Sequence, residues 1–218
     1  MTVSTDLVGY YAQRAAEYER VYAKPERQPD LAVLKHRVAA GLANRRVYEV
    51  ACGTGYWTQF YAERATSVFA CDYNEAVLEI ARTKPLPSDR VQWVRADAFA
   101  LPPAPLPCDG GFAGFWWSHL RREGQAASFL QGFCRRLEPG ARVLFIDNAY
   151  VEGSSTPITR VDADGNTYQE RRLSDGSRHE VLKNFPDEAE IRALLTPVAV
   201  DIQWERLPYY WWVTAEVR

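Results

Sequence analysis

"VYEVACGTGYWTQ" occupies Val47–Gln59. It begins as an apolar run with one acid, Glu49, inside it, and it breaks at a tight Gly53-Thr54-Gly55 turn. An apolar run stopped by glycine predicts a buried strand feeding a turn. Glycine there allows positive φ and close approach of a ligand to the backbone. The N–H groups of a following helix would be open to a polar partner. The reading is a strand over 46–51, then a helix over 57–64. A carboxylate inside a buried strand is costly without a partner, so Glu49 requires one.

Outward from this stretch the strand–turn–helix rhythm repeats. Strands are expected at 67–71, 91–96, 110–116 and 142–147, with helices at 74–84 and 124–137. Pro139-Gly140 closes the latter helix. Alternation of this kind implies parallel βαβ units in a doubly wound sheet. Right-handed crossovers then bring every strand's C-terminal end to one rim, where ligands bind. Before the sheet, Tyr11, Ala15, Tyr18 and Tyr22 fall at helical spacing, and Asp30 is placed to cap a second helix through Leu31, Leu34, Val38 and Leu42.

After Asp147 the pattern changes. Two turn signals, Asp164-Gly165-Asn166 and Asp175-Gly176, lie within 159–183 and predict a β-hairpin excursion. A short helix follows at 186–195. Strands at 198–206 and 210–217 are joined so tightly at Leu207-Pro208 that they must be antiparallel. The whole chain reads as one domain, 1–218, with a helical cap over 1–43 and the insertion over 151–185.

The totals exclude several classes. The 218 residues carry a net charge of −2, which argues against a nucleic-acid surface spread over the whole protein and leaves a local basic patch open. No stretch approaches a membrane span or a signal peptide. The four cysteines are scattered, with no zinc spacing, and are expected as reduced buried thiols in a cytoplasmic protein. No metal site is expected. The expected partner is a small molecule, and the chain itself is expected as a monomer or homodimer.

The turn and its acids narrow the ligand. A dinucleotide fingerprint wants a third glycine three residues after Gly55, and Thr58 stands there. Glu49 would repel a pyrophosphate and suits a cationic end. Asp72 ends the second strand, where a carboxylate can accept from ribose hydroxyls. Asp97-Ala98 ends the third, within reach of an adenine amino group. S-adenosylmethionine combines a cationic end, a ribose and a base.

At this point the sequence resembles a known family. ExACGTG is similar to motif I of the class I S-adenosylmethionine-dependent methyltransferases, with Glu49, Gly53 and Gly55 matching and Ala51 in place of the usual first glycine. The resemblance implies a Rossmann-like, seven-stranded, mostly parallel α/β sheet with an antiparallel C-terminal strand, and S-adenosylmethionine as cofactor. It implies cofactor contacts from Glu49, Ala51, Gly53, Gly55, Asp72, Tyr73, Asp97, Ala98 and Phe115. Trp57 either covers the methionine arm or packs on a neighbouring helix. Tyr73 either lies against adenine or packs a turn.

The N-terminal segment resembles the cap helix of small-molecule members. Tyr11 and Arg14 would reach the cofactor carboxylate, Tyr11 would take a catalytic part, and Tyr10 would touch the acceptor. "GFWWSHL", 114–120, would pass beneath the cofactor into the acceptor pocket. Phe115, Trp116 and Trp117 form an aromatic wall there, of which strand alternation sends at least one ring to the core. His119 at the rim is either a general base or a packing histidine; His36 and His179 read as exposed. Asp147 and Asn148 either hold the acceptor or cap a turn. The basic 159–183 hairpin either draws an anionic acceptor or is a solvated surface.

The expected function is methyl transfer to a small molecule with an aromatic or flat apolar part. A catalytically inactive cofactor-binding protein and a nicotinamide-dependent oxidoreductase are the competing readings. Whether N, O, S or C is methylated is not legible.

Overall fold

The computed structural model describes residue 9 and residues 15–218 apart from 174, with side chains from Glu19 onward. Tyr10, Tyr11 and Arg14, and the side chain of Tyr18, lie outside the described residues.

Ten strands are described: β1 Arg46–Val50, β2 Ser67–Asp72, β3 Val91–Arg95, β4 Cys108–Gly114, β5 Leu137–Asn148, β6 Arg160–Val161, β7 Thr167–Arg172, β8 Arg178–Leu182, β9 Ala199–Arg206 and β10 Tyr210–Val217. Four α-helices accompany them: α1 Gln28–Gly41, α2 Glu75–Arg82, α3 Gln125–Cys134 and α4 Glu188–Leu195.

Seven strands form one sheet in the order β3-β2-β1-β4-β5-β10-β9. Pairing is parallel from β3 through β5, and β10 runs antiparallel between β5 and β9. The tight turn at 207–209 therefore places the last strand inside the sheet, as expected. The order reverses at β1 and β4, the switch point where crossovers leave opposite faces and open a crevice. Apolar side chains cover both faces of the sheet: Phe129, Phe133 and Leu195 on one side, Leu31, Leu34 and Tyr61 on the other.

Local chemistry sets the element ends. Asn74 caps α2 by accepting from the Ala76 amide at 3.0 Å, and Asp187 caps α4 by accepting from Glu190 at 2.9 Å. Asp30 does not cap its helix. It sits in the first turn of α1, and its carboxylate accepts from the Tyr209 amide at 2.8 Å, closing the β9–β10 turn instead.

The helix expected over 57–64 is a short 3-10 turn at Thr58–Phe60 within a run of turns. Tyr56, Trp57, Thr58, Phe60 and Tyr61 are poor helix formers, because their branched or aromatic side chains crowd the preceding turn. Beta-strand β4 stops at Gly114, two residues early, and β5 starts at Leu137, so α3 ends at Cys134.

The excursion forms a three-stranded sheet of its own, β6-β7-β8, rather than a bare hairpin. Asn166 and Asn184 pin it to the rim. The Asn184 amide donates to the Ser118 carbonyl at 2.8 Å, its Nδ2 to the Leu120 carbonyl at 2.9 Å, and Asn166 Oδ1 accepts from the Arg122 amide at 2.9 Å. His179 is buried within it, against expectation, while His36 is exposed. All four cysteines are buried free thiols. Among the described residues no helix is long and apolar enough to cross a membrane.

Candidate functional site

Two cavities open along the C-terminal rim. The first, of about 370 Å³, is bounded by Ala51 and Gly53 of the glycine turn, Asp72 and Tyr73 after β2, Asp97 and Ala98 after β3, and Phe115 and Trp116 after β4. Val77, Ala96 and Phe99 add apolar wall, and Asn74, His119 and Gln125 add polar groups. Sequence reading had found the acids and the turn. It missed Asn74, Val77, Phe99 and Gln125, which have no motif of their own.

The turn is shaped from beneath. Gly53 and Gly55 take φ of 56° and 71°, and Ala51 is forced to 54°. Packing alone requires Gly55: a Cβ there would lie 2.7 Å from the Trp93 ring. Asp72 ties the turn to the sheet. One oxygen accepts from the Gly53 amide and the other from the Asn74 amide, each at 2.9 Å. A carboxylate offers about four acceptor sites, so these two amides do not exhaust it. The Asp97 carboxylate accepts from the Phe99 amide at 2.9 Å and stays at the exposed mouth. Thr54 donates to Glu19 at 2.8 Å, and Lys84 also reaches Glu19 at 2.7 Å, which fastens the N-terminal segment over the turn.

Glu49 has its partners within the chain. It is 2% exposed, and one oxygen accepts from Thr58 at 2.7 Å and from Tyr61 at 2.6 Å. It lies outside the cavity wall, so the expectation of a ligand partner is replaced by an internal one. Burial pushes its pKa up to about 7 against the pull of those two hydrogen bonds.

The aromatic wall divides. Trp117 is core, edge-on to Phe145 and Trp211, which corrects its expected acceptor role. Trp57 packs rather than covers: it stacks on Phe115 at 5.7 Å and donates to the Tyr22 hydroxyl at 3.2 Å. Trp116 faces the first cavity beside Phe99. Phe115 adopts φ 61°, a conformation that costs a bulky residue energy. Its amide donates to the Ile146 carbonyl at 2.8 Å, and Tyr22 and Tyr210 meet its ring edge-on, so the surroundings hold it there.

The second cavity, of about 290 Å³, lies beyond Phe115 and His119, the two residues it shares with the first. Its wall combines Arg20, Val21, Tyr22, Lys24 and Arg27 of the N-terminal segment, Asn148, 154–156, and Gln169, Arg171, Val181, Lys183 and Phe185 of the excursion. The excursion is therefore a wall of the rim and not only a solvated surface. Sequence reading missed Arg27, because it meets Asn148 and Ser154 only through the fold, at 3.3 Å and 3.0 Å.

Asp147 does not face this cavity. It is fully buried and accepts from the Ser118 amide at 2.8 Å, the Ser118 hydroxyl at 3.0 Å, the Asn148 amide at 2.7 Å and Lys183 Nζ at 3.3 Å. Burial opposes its charge, yet the Lys183 ammonium and those amides hold its carboxyl below the usual range. Its expected acceptor contact is corrected to a support beneath Lys183, while Asn148 does line the cavity.

His119 stands at the junction. Its Nδ1 donates to the Leu182 carbonyl at 2.9 Å, which leaves the lone pair on Nε2. Burial, then the charges of Lys183 and Arg171, lower its pKa to about 3.

Comparison with known proteins agrees with this geometry. The family model for a methyltransferase domain matches residues 47–140. Among curated proteins, a demethylmenaquinone methyltransferase of Clavibacter sepedonicus is 32% identical over 111 residues, 51% of this chain and 44% of that protein. A 2-phytyl-1,4-naphtoquinone methyltransferase of Thermosynechococcus vestitus is 30% identical over 110 residues, 49% of this chain and 48% of that protein. The chain thus spans about half the length of the curated relatives it matches. Among solved structures, a DhpI–SAH complex superposes with a TM-score of 0.78 at 25% identity, covering 96% of this chain and 94% of that one.

Proposed function

We propose that this chain is a class I S-adenosylmethionine-dependent methyltransferase, a reading that the family match over 47–140 and the DhpI–SAH likeness support, and that it moves a methyl group from that cofactor to a small molecule seated in the second cavity. The carrying observation is the junction: the two cavities meet at Phe115 and His119 and at no other lining residue described. A donor in one and an acceptor in the other would face each other there.

The first cavity fits the cofactor by its chemistry. Asp72 has acceptor sites to spare for ribose, Gly53 brings bare backbone to the wall, and Val77, Ala96, Ala98 and Phe99 offer an apolar slot for a base. S-adenosylmethionine supplies an electrophilic methyl on a sulfonium, so positioning can provide much of the rate. Phe115 and Trp116 bring ring faces that favour a cation. A neutral His119 with its lone pair on Nε2 can accept a hydrogen bond from the acceptor and orient it, while its pKa of about 3 makes it too weak a base to hold the acceptor's proton near neutral pH. Phe115, Tyr22 and Phe185 offer a modest apolar seat for the acceptor, in line with one that has a flat or apolar part.

Calorimetry with S-adenosylhomocysteine and with a nicotinamide dinucleotide tests the cofactor assignment, and release of S-adenosylhomocysteine in the presence of a small-molecule extract tests turnover. Binding and turnover with no nicotinamide binding are expected. Binding without turnover under every acceptor would return the inactive-protein reading, and nicotinamide binding alone the oxidoreductase reading.

A further inference from the structure

The second cavity concentrates positive charge. Arg20, Lys24, Arg27, Arg171 and Lys183 all line it, and no Asp or Glu is among its described lining residues. These cations come from separate parts of the chain: the segment before α1, strand β7 and the residue just after β8. Like charges brought together repel, and the repulsion grows as water is excluded. Lys24 registers it: burial first, then the neighbouring Arg27 and more weakly Arg171, hold its ammonium below its ordinary value.

Two described carboxylates touch the groups of this wall without lining the cavity. Asp147 reaches Lys183 at 3.3 Å, and Glu26 accepts from Ser154 Oγ at 2.9 Å. Arg27 is 6% exposed and Lys183 7%, so two of the cations are part of the buried frame and not loose surface side chains. Arg27 is set over the Tyr209 and Tyr210 rings and fixed by Ser154 and Asn148. Arg171 is steadied by Gln169 at 2.6 Å. A fixed guanidinium fork matches an oxyanion in two-pronged fashion.

Resting on the methyltransferase reading above, we infer that the methyl acceptor is a small molecule bearing an oxyanion, a carboxylate or a phosphoryl-type group, bound in the second cavity by Arg27, Arg171, Lys24 and Lys183. The shared chemistry is a compact anion with several acceptor oxygens. A planar carboxylate and a tetrahedral phosphonate both meet it.

The test uses the full chain saturated with S-adenosylhomocysteine, into which benzoate, phenylphosphonate and benzamide are titrated in separate calorimetric runs. At least one anion is expected to bind and benzamide is not. A preference for phenylphosphonate points to a tetrahedral group, and a preference for benzoate to a planar one. Arg171→Gln and Lys24→Gln, each at a position not fully buried, should each weaken anion binding about tenfold to a hundredfold, the loss of one charge-assisted contact. Their affinity for S-adenosylhomocysteine should stay within about twofold. Anions binding no better than benzamide would overturn the inference. So would variants that weaken S-adenosylhomocysteine as much as the anion, because the cations would then serve the cofactor's own carboxylate. Failure of S-adenosylhomocysteine to bind the unaltered chain would instead bring down the methyltransferase reading itself.

Discussion

The carbonyl of Leu182 accepts from Nδ1 of His119 at 2.9 Å, so a strand of the excursion sets the imidazole that stands between the two cavities. With its pKa lowered to about 3 by burial and by Lys183, the ring stays neutral through the physiological range. Turnover should show no inflection near pH 6.5 arising from this residue. His119→Ala should lower turnover while S-adenosylhomocysteine affinity holds. Unchanged turnover would return His119 to a packing role.

The same shift predicts a stability trend. An unfolded histidine takes up a proton near pH 6.5, while the folded ring takes it up only near 3. Between those values the unfolded state binds more protons, so stability falls as the pH falls. Urea melts at pH 7 and pH 5 should show a smaller loss on acidification for His119→Gln than for the unaltered chain.

Glu49 predicts the opposite trend. Its pKa is raised to about 7 by burial, so between 4.5 and 7 the folded state holds a proton that the unfolded state has lost. Its contribution is present at low pH and declines as the pH rises through that window. Glu49→Gln should gain on the unaltered chain between pH 5 and pH 8, by no more than about 3 kcal/mol. A difference that stays constant across this range would mean the carboxyl titrates normally.

Asp72→Ala removes the acceptor for two amides, Gly53 and Asn74. The cost of such orphaned donors is on the order of 1–3 kcal/mol. It should appear both in the melting transition and as weaker S-adenosylhomocysteine binding by calorimetry. An unchanged dissociation constant would remove Asp72 from the cofactor site.

Ala51 holds a φ of 54°, where an L side chain is strained by roughly 1–2 kcal/mol. Ala51→Gly should therefore stabilise the chain or leave it unchanged, because the entropic cost of glycine offsets part of the relief. A clear drop in melting temperature would show that the Ala51 methyl packs more than it strains.

The parts legible in the sequence were those written locally. Parallel βαβ units followed from strand–helix alternation, and an antiparallel last pair from the tight 207–209 link. The first cavity followed from one glycine turn and acids at fixed strand ends, because Asp72 and Asp97 occupy positions that parallel topology brings to the rim. Glu49 was legible as a demand for a partner, but its partners, Thr58 and Tyr61, depended on a broken helix whose aromatic residues the spacing rule overrode. Trp116 and Trp117 are neighbours whose opposite fates turn on the left-handed step at Phe115, which a bulky residue does not announce. The second cavity was the least legible. Arg27, Asn148 and Arg171 are far apart in the chain and acquire a common purpose only when the excursion folds back.

Strands β6–β8 pair with one another and with none of the seven strands of the main sheet. Arg171, Val181 and Lys183 thus reach the rim on a scaffold whose backbone ladder owes nothing to the glycine turn. On the proposed reading, evolution can retailor the recipient of the methyl group by recutting this small sheet while the donor's berth stays intact. A graft of residues 160–182 between relatives of this fold is the corresponding engineering route to new acceptors.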